Sequence, residues 1–479
     1  MKNHYRLAII GAGSAGLAAL KYAQRHTDDI VLINAGAYGT TCARVGCMPS
    51  KVLLAPAHAL AHARALEALD SGLKGSHNLQ ADIPAVLAHV RRLRDRFTQG
   101  SVDTAFELGQ HNIPGSARLL DANTIELADD RRIHAERIII ATGSSPVLPD
   151  AWQALGRRVL TSDDLFEQEH LGQRVAVVGL GAIGAELGQA LAMLGLDVHG
   201  FSSSAQICGI SDPVVADAQL NAMQKHMRIS TGIKIELAAL GENAVQVRAG
   251  DQVYAVDWVL AAIGRRPNVT GLGLENLGME LDRRGLPPIN PRTLQVGDLP
   301  IYFAGDVNGL HPILHEAADD GRLAAHHALY GDSSCVHRRT PMGVVFTEPN
   351  AAYAGKRWQE LSASPVVVGE VNFARQGRSV TMGRNAGYLR LYVDPATTKL
   401  LGAELAAPDG EHIAHLLAWA IQQDMGVDDL LQMPFYHPVV EEGLRSALQH
   451  ARRQLSQERP LLDLPLCQPA PTWATGADD

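Results

Sequence analysis

Cys42 and Cys47 stand five positions apart in GTTCARVGCMPSK, with Lys51 closing the segment. Two thiols this close can trade electrons as a dithiol–disulfide couple or help to hold a metal. Zinc normally takes four ligands with CxxC or similar spacing, and no second Cys/His pair complements this one. No metal site is expected, and redox work is. In a regular helix residues i and i+5 lie roughly 8–9 Å apart, whereas a disulfide needs its Cα atoms within about 7 Å. A helix carrying both cysteines must therefore be distorted between them, and Gly46 is placed to permit it. A strained, accessible disulfide is more oxidising than a structural one, which suits turnover. The spacing also excludes a thioredoxin-like CxxC site. The other cysteines, Cys208, Cys335 and Cys467, are too scattered to form a disulfide framework.

The elements around this pair are those of nucleotide binding. RLAIIGAGSAGLAALKYAQ reads as a buried strand, a glycine turn and a helix, followed by the strand IVLINA. Gly11, Gly13 and Gly16 form GxGxxG at the carboxyl end of the first strand. They allow a tight turn, close approach of a pyrophosphate, and close helix–strand packing, with phosphate facing a helix N-terminus. The pattern returns in VAVVGLGAIGAELGQALAMLG, with Gly179, Gly181 and Gly184, before the strand DVHGF. Two such units imply two nucleotide sites, or one nucleotide shared between the units. Three further apolar strands stop at glycine: ERIIIATGSSP at Thr142 and Gly143, VDWVLAAIGRRPN at Gly264, and PIYFAGDVNG just before Asp306. From about residue 340 the pattern changes to VVVGEVNF, LRLYV and LLGAELAA, read as strands, then two amphipathic helices. An α+β domain is expected there.

Length and composition set the frame. A chain of 479 residues is expected to form about two to four domains. With 46% hydrophobic and 19% charged residues it has an ordinary globular balance, and a net charge of -9 offers no footprint for nucleic acid or an anionic membrane. No apolar run reaches the roughly 18–20 residues of a membrane span, and no secretory leader precedes LAIIGAG. A cytoplasmic protein is expected, with its Pro-rich tail as a loose extension.

On GAGSAG, TCARVGCMPSK, ATGSSP, GLGAIGAE, AIGRRPN, YFAGDV and HPVVEE, in that order from Leu7 to about Arg453, the chain resembles the class I flavin disulfide reductases. That family includes lipoamide dehydrogenase, glutathione reductase and mercuric reductase. The resemblance implies an α/β fold with two dinucleotide-binding, Rossmann-like domains and a C-terminal α+β dimerisation domain. Its segments would be 1–150 for FAD with the cysteine pair, 151–268 for NAD(P), 269–338 returning to the FAD domain, 339–460 for dimerisation, and 461–479 as an extension. FAD and NAD(H) or NADP(H) are the implied cofactors. Cys42 resembles the interchange thiol and Cys47 the thiol next to the flavin. Lys51 resembles the lysine beside the flavin's redox nitrogen, paired with Glu186. Ser14, Thr41, Asp306 and His315 join the glycine turns as implied cofactor contacts.

His437 and Glu442 complete the set. Pro438 is expected in the first turn of the helix VVEEGLRSALQHARRQL, with His437 at its start and Glu442 reaching back to orient the imidazole. A thiolate nucleophile needs a proton acceptor, and a histidine held by a carboxylate supplies one near neutral pH. In the family this dyad serves the other subunit's cysteines, which implies a homodimer with shared sites.

Three positions depart from the family pattern. Asn34 stands where an acidic residue normally binds the adenosine ribose, although an amide can still hydrogen-bond a hydroxyl. Thr40 replaces a glycine. Ser202, at the selector position of the second unit, neither repels nor pairs with a 2′-phosphate, so NADH and NADPH both stay open. Dihydrolipoamide, free or on a separate lipoyl domain, is the leading substrate; glutathione disulfide or another disulfide is the alternative. The single Cys467 and the lack of an N-terminal CxxC domain disfavour mercuric ion. A flavoprotein that only senses redox state is the non-enzymatic alternative.

Overall fold

The computed structural model describes residues 2–331, 336–361, 365–455 and 463–464. Cys335, Cys467 and nearly all of the expected tail fall outside them. The chain divides into two compact units: residues 1–60, 79–203 and 232–338, and residues 61–78, 204–231 and 339–479.

In the first unit the strand His4–Ile10 lies between Ile30–Asn34 and Arg132–Ile140, parallel to both, with Leu7 opposite Ile30 on one side and Arg137 on the other. Ile301–Phe303 extends the parallel set on the far side of Arg132–Ile140, pairing Ile301 with Ile138. Both faces of this sheet are buried. Ala8, Ile10, Ile138 and Ile140 point into one apolar cluster, and Leu7, Ile9 and Ile139 into the opposite one. This explains the unbroken apolar runs, since neither face of such a strand meets water. A second parallel set, Asp197–Phe201, Arg174–Val178, Trp258–Ala261 and Val159–Leu160, repeats the pattern. A three-stranded antiparallel sheet from Ile235 to Val256 packs into the same cluster as these strands.

The glycine turns are steric necessities. Gly11 has φ +111°, and a Cβ there would lie 2.3 Å from the Ala141 carbonyl oxygen. A Cβ on Gly184 would lie 1.8 Å from the Gly179 carbonyl oxygen, where the helix Ala182–Met193 crosses its own turn.

The second unit holds an antiparallel sheet in the order Met342–Val345, Asn350–Gly355, Leu400–Ala407, Tyr388–Val393, Val367–Asn372. The helices Gly410–Gln422 and Glu442–Leu455 bury their apolar stripes in its core. A polar staple fastens the helix Pro213–Met223 to this sheet. Buried Glu404 accepts from the amides of Ser211 (2.6 Å), Asp212 (2.8 Å) and Trp358 (3.0 Å). Buried Asp212 caps the helix through Val214 N–H and receives Arg390 at 2.9 Å and the Tyr392 hydroxyl at 3.0 Å. Buried carboxylates survive only when compensated in this way.

Gly181 and Gly184 should separate stability from binding. Gly181→Ala meets nothing within 4 Å, so its melting temperature should match wild type, while KM for the nicotinamide nucleotide should rise about tenfold as the methyl blocks phosphate approach. Gly184→Ala should instead lose about 2 kcal/mol or more of stability by overpacking. Thermal melts and steady-state kinetics on both variants check this; equal melting temperatures would contradict it.

Candidate active site

The first requirement of the cysteine pair is a broken helix, and the chain has one. Thr41–Arg44 forms a single helical turn that ends at Val45 (φ -136°, ψ 7°), and a new helix runs Cys47–Ala68. Gly46 makes the junction possible, because a Cβ there would sit 3.1 Å from the Thr41 carbonyl oxygen and 3.2 Å from the Cys42 Cα. Thr40, the unexplained departure, has a local role. Its hydroxyl accepts the Ala43 N–H at 3.1 Å and caps the short turn.

Both cysteines are thiols in this structure, Cys47 exposed and Cys42 half-buried. They are hydrogen-bonded to each other and do not titrate alike. Cys47 is lowered to about 7, chiefly because the Cys42 thiol donates to it, with the Lys51 ammonium helping against a burial penalty. Its place at the start of the helix Cys47–Ala68 favours the thiolate as well. Cys42 is pushed above the ordinary thiol range, first by serving as donor to Cys47 and then by burial. Of the two thiols, Cys47 is therefore the one that ionises first.

Lys51 meets Glu186 at 2.7 Å, the carboxylate largely buried and the ammonium about one-third exposed. The Ser50 hydroxyl, which donates to the Cys47 carbonyl at 3.0 Å, lies 3.4 Å from the Lys51 Nζ. The ammonium is thus tied to the helix that carries Cys47, and Glu186 compensates it without leaving a bare buried charge.

His437 and Glu442 meet in the second unit. The His437 Nδ1 lies 3.0 and 3.1 Å from the two Glu442 carboxylate oxygens, with the histidine side chain 80% exposed. An ionised carboxylate only accepts, so Nδ1 carries the proton and Nε2 is left as the base. The Glu442 carboxyl lies below its usual range, chiefly through the His437 hydrogen bond. One expectation is corrected. Pro438 is not in a helical first turn: the His437–Pro438 peptide is cis, residues 440–441 form a turn, and the helix begins at Glu442. The Glu442 carboxylate accepts the Val439 N–H at 3.2 Å, and the amides of Gly443 and Leu444 bond back to Val440 and Glu441. The local bonds close a turn before the helix can start.

The first glycine turn fits FAD. Gly13 caps the helix Ser14–Ala23 with no side-chain partner for its amides, and a Cβ there would meet only the Ala141 carbonyl oxygen, at 3.9 Å. That leaves room and, among the described residues, amide N–H groups without a side-chain acceptor at a helix N-terminus, the features a pyrophosphate needs. Asn34 is buried, and its Oδ1 accepts the Ala12 N–H at 2.9 Å. The amide therefore also braces the glycine turn. Gly143 (φ +72°) and the strand ends at Thr142 and Gly305–Asp306 lie at the same carboxyl edge, and Thr142 and Asn268 exchange hydrogen bonds of 2.7 and 2.9 Å. Thr41 and His315 are exposed. The second turn has the same open middle glycine, Gly181. Gly264 has φ +122°. The Ser202 residue is only 6% exposed, while Ser203 next to it is open.

A relay missed in the sequence sits behind Asp306. Its carboxylate accepts from the Ser144 hydroxyl at 2.7 Å, which accepts from the Arg265 Nε at 2.9 Å, and Arg265 also holds the Ser144 carbonyl at 2.7 Å. Both residues lie in strand-end motifs, Ser144 in ATGSSP and Arg265 in AIGRRPN, and the short strands Ser144–Pro146 and Arg265–Pro267 pair directly. Their place beside the glycines was the available signal.

Residues 5–328 match the model for pyridine nucleotide-disulphide oxidoreductases. The chain belongs to that family. Residues 342–448 match the family's dimerisation domain. A dihydrolipoyl dehydrogenase of Thermus scotoductus is 30% identical over 461 residues, covering 94% of this chain and 98% of the relative. A mercuric reductase of Staphylococcus aureus is 29% identical, covering 92% and 82%. The structure of the Cu(II) complex of the flavoprotein disulfide reductase RclA from Escherichia coli superposes with a TM-score of 0.82 at 23% identity, covering 94% and 99%, and so shares the fold. The family uses FAD and NAD(P)H, and the two open glycine turns suit them. When bound, FAD passes a pair of electrons between nicotinamide and thiols. No helix among the described residues is long and apolar enough to cross a membrane.

The thiol pair gives a direct test. With Cys42→Ala the strongest stabiliser of the Cys47 thiolate disappears, so its pKa should rise from about 7 toward the ordinary thiol value of about 8.5. Ultraviolet thiolate absorbance followed against pH in the reduced protein measures it. An unmoved midpoint would contradict the donor role of Cys42.

Proposed function

We propose that this enzyme transfers electrons between a nicotinamide nucleotide and a small dithiol or disulfide through FAD and Cys42–Cys47, with dihydrolipoamide as its substrate. The observation that carries the chemistry is the unequal thiol pair: a stabilised Cys47 thiolate beside Lys51 and a Cys42 thiol that needs a base. In this scheme Cys47 faces the flavin and Cys42 exchanges with substrate. The His437 Nε2 takes the proton as the Cys42 sulfur attacks one sulfur of the substrate disulfide. The departing sulfur leaves as a thiol once it receives that proton. Cys47 then attacks Cys42, releases the second substrate sulfur as a thiolate that takes a proton from solvent, and restores the Cys42–Cys47 disulfide. Oxidation of a dithiol substrate is the same sequence reversed. Glu442 holds the imidazole in the tautomer this requires.

Several features support the finer assignments. Dihydrolipoyl dehydrogenases recur among the relatives at 25–30% identity over nearly the whole chain. The turns around Gly11 and Gly179 suit FAD and nicotinamide respectively, which fits segments 1–150 and 269–338 for FAD, 151–268 for NAD(P) and 339–460 for dimerisation. Neutral Ser202 suits either nicotinamide nucleotide. A reducing cytoplasm would keep such a dithiol enzyme supplied. With a dimerisation domain present, the proposal places His437 opposite the cysteines of the partner subunit.

A turnover panel of lipoamide, glutathione disulfide and mercuric ion, each with NADH and NADPH, tests the substrate; lipoamide should lead in kcat/KM, and a leading glutathione disulfide or mercuric ion would overturn it. The shared site is tested by a mixed dimer of differently tagged Cys42→Ser and His437→Ala chains. One site would carry both lesions and the other none, so activity should return to roughly half of wild type. A verified, flavin-loaded mixed dimer that stays as inactive as its parents would exclude sharing between subunits.

A further inference from the structure

A cavity of about 370 Å³ lies in the first unit, away from the glycine turns. Arg137, Asp298, Thr293, Gln295, Asn123 and Tyr302 are on its walls. The register fixes its position in the sheet. Arg137 and Pro300 stand just before the parallel pair Ile138 and Ile301, at the amino-terminal side of these strands, whereas Gly143 and Gly305 follow their carboxyl ends. The length of a short strand, about 10 Å, separates the two edges. The cavity is thus distinct from the FAD cradle.

Its charges are unspent. Arg137 is half-buried; among the described residues its guanidinium makes one hydrogen bond, from Nη1 to the Glu136 carbonyl at 2.9 Å, and no ion pair. Asp298 is exposed and likewise makes no ion pair there. The helix Leu314–Tyr330 ends at Gly331 on the cavity wall, where its Leu329 carbonyl already accepts from Arg6 at 3.2 Å, so Asp298 is the anion that faces the chamber. Tyr302 is 3% exposed as a residue. Asn123 and Gln295 are fixed by hydrogen bonds to the Ala135 and Leu299 carbonyls, 2.8 and 2.9 Å, so the neutral polar walls are rigid. A cation and an anion face one small polar chamber without neutralising each other. A ligand with both charges would pair with each.

We propose that this chamber binds a small zwitterion of the α-amino acid class, its carboxylate on Arg137 and its ammonium on Asp298. The amide and hydroxyl walls suit a short polar side chain. A volume of this size lies at the lower end of the range for small-molecule sites, and it admits a free amino acid rather than a folded partner. The strand Ile301–Phe303 runs from this chamber to Gly305–Asp306 at the flavin edge, so occupancy has a short path to the cofactor.

Isothermal titration of the FAD-loaded enzyme with glycine, L-serine and L-glutamine tests this, with acetate and methylammonium as single-charge controls. At least one amino acid should bind saturably, and each control should bind at least about tenfold more weakly. Arg137→Gln and Asp298→Asn should each weaken the amino acid by about tenfold or more, with FAD content and melting temperature confirming that both variants fold. No saturable binding of any of the three up to about 20 mM, well past weak millimolar affinity, overturns the proposal. Acetate binding as tightly as the amino acids, or unchanged binding in either folded variant, overturns it equally.

Discussion

Two thiols five residues apart meet only where the helix between them breaks, and the residues on either side of that break are fitted to it. Thr40 caps the short turn, Val45 leaves helical geometry, and a Cβ at Gly46 would stand 3.2 Å from the Cys42 Cα. The new helix then begins on Cys47 itself. One interruption thus brings the sulfurs together and places one of them at a helix N-terminus, where a thiolate is favoured. A continuous helix would separate the sulfurs and remove the asymmetry.

Charge follows from that placement. The Cys47 thiolate, the Lys51 ammonium and the Glu186 carboxylate form a short series in which each charge has an opposite neighbour. The lysine comes from the helix that carries Cys47, and the glutamate from the helix that opens the second glycine turn. A mutation at Glu186 would therefore touch thiol chemistry while lying in a nucleotide-binding element. The Arg265–Ser144–Asp306 relay also joins distant segments, linking the end of one parallel set to the aspartate at the end of the other. Both links cross more than a hundred residues of sequence and bind the two nucleotide-type elements within one unit.

Legibility in the sequence depended on whether a constraint was local. The glycine turns could be read because their need is steric: Gly11 and Gly16 have carbonyl oxygens where a Cβ would go. The cysteine pair could be read because its spacing forbids a regular helix. Family resemblance joined Lys51 to Glu186 and His437 to Glu442, pairings that spacing alone would not select from 20 histidines and 51 acidic residues. The misplacement at Pro438 came from trusting a general preference for proline at helix starts, where the Glu442 carboxylate closes a preceding turn. Ser144 and Arg265 escaped notice because their partners are more than a hundred residues away and a lone serine carries no chemical signal. The Thr40 cap escaped it because the position was judged against a family glycine and not against the turn that follows.

The central claim is that electrons entering from nicotinamide come to rest on Cys42 and Cys47. Under anaerobic conditions the oxidised, FAD-loaded enzyme would receive one equivalent of NADH or NADPH and be alkylated at once, with cysteines identified by mass spectrometry and the flavin followed by absorbance. Cys42 and Cys47 should both become alkylated while the oxidised flavin band largely persists. A flavin band that bleaches with that first equivalent, while both cysteines stay protected as a disulfide, would contradict the account.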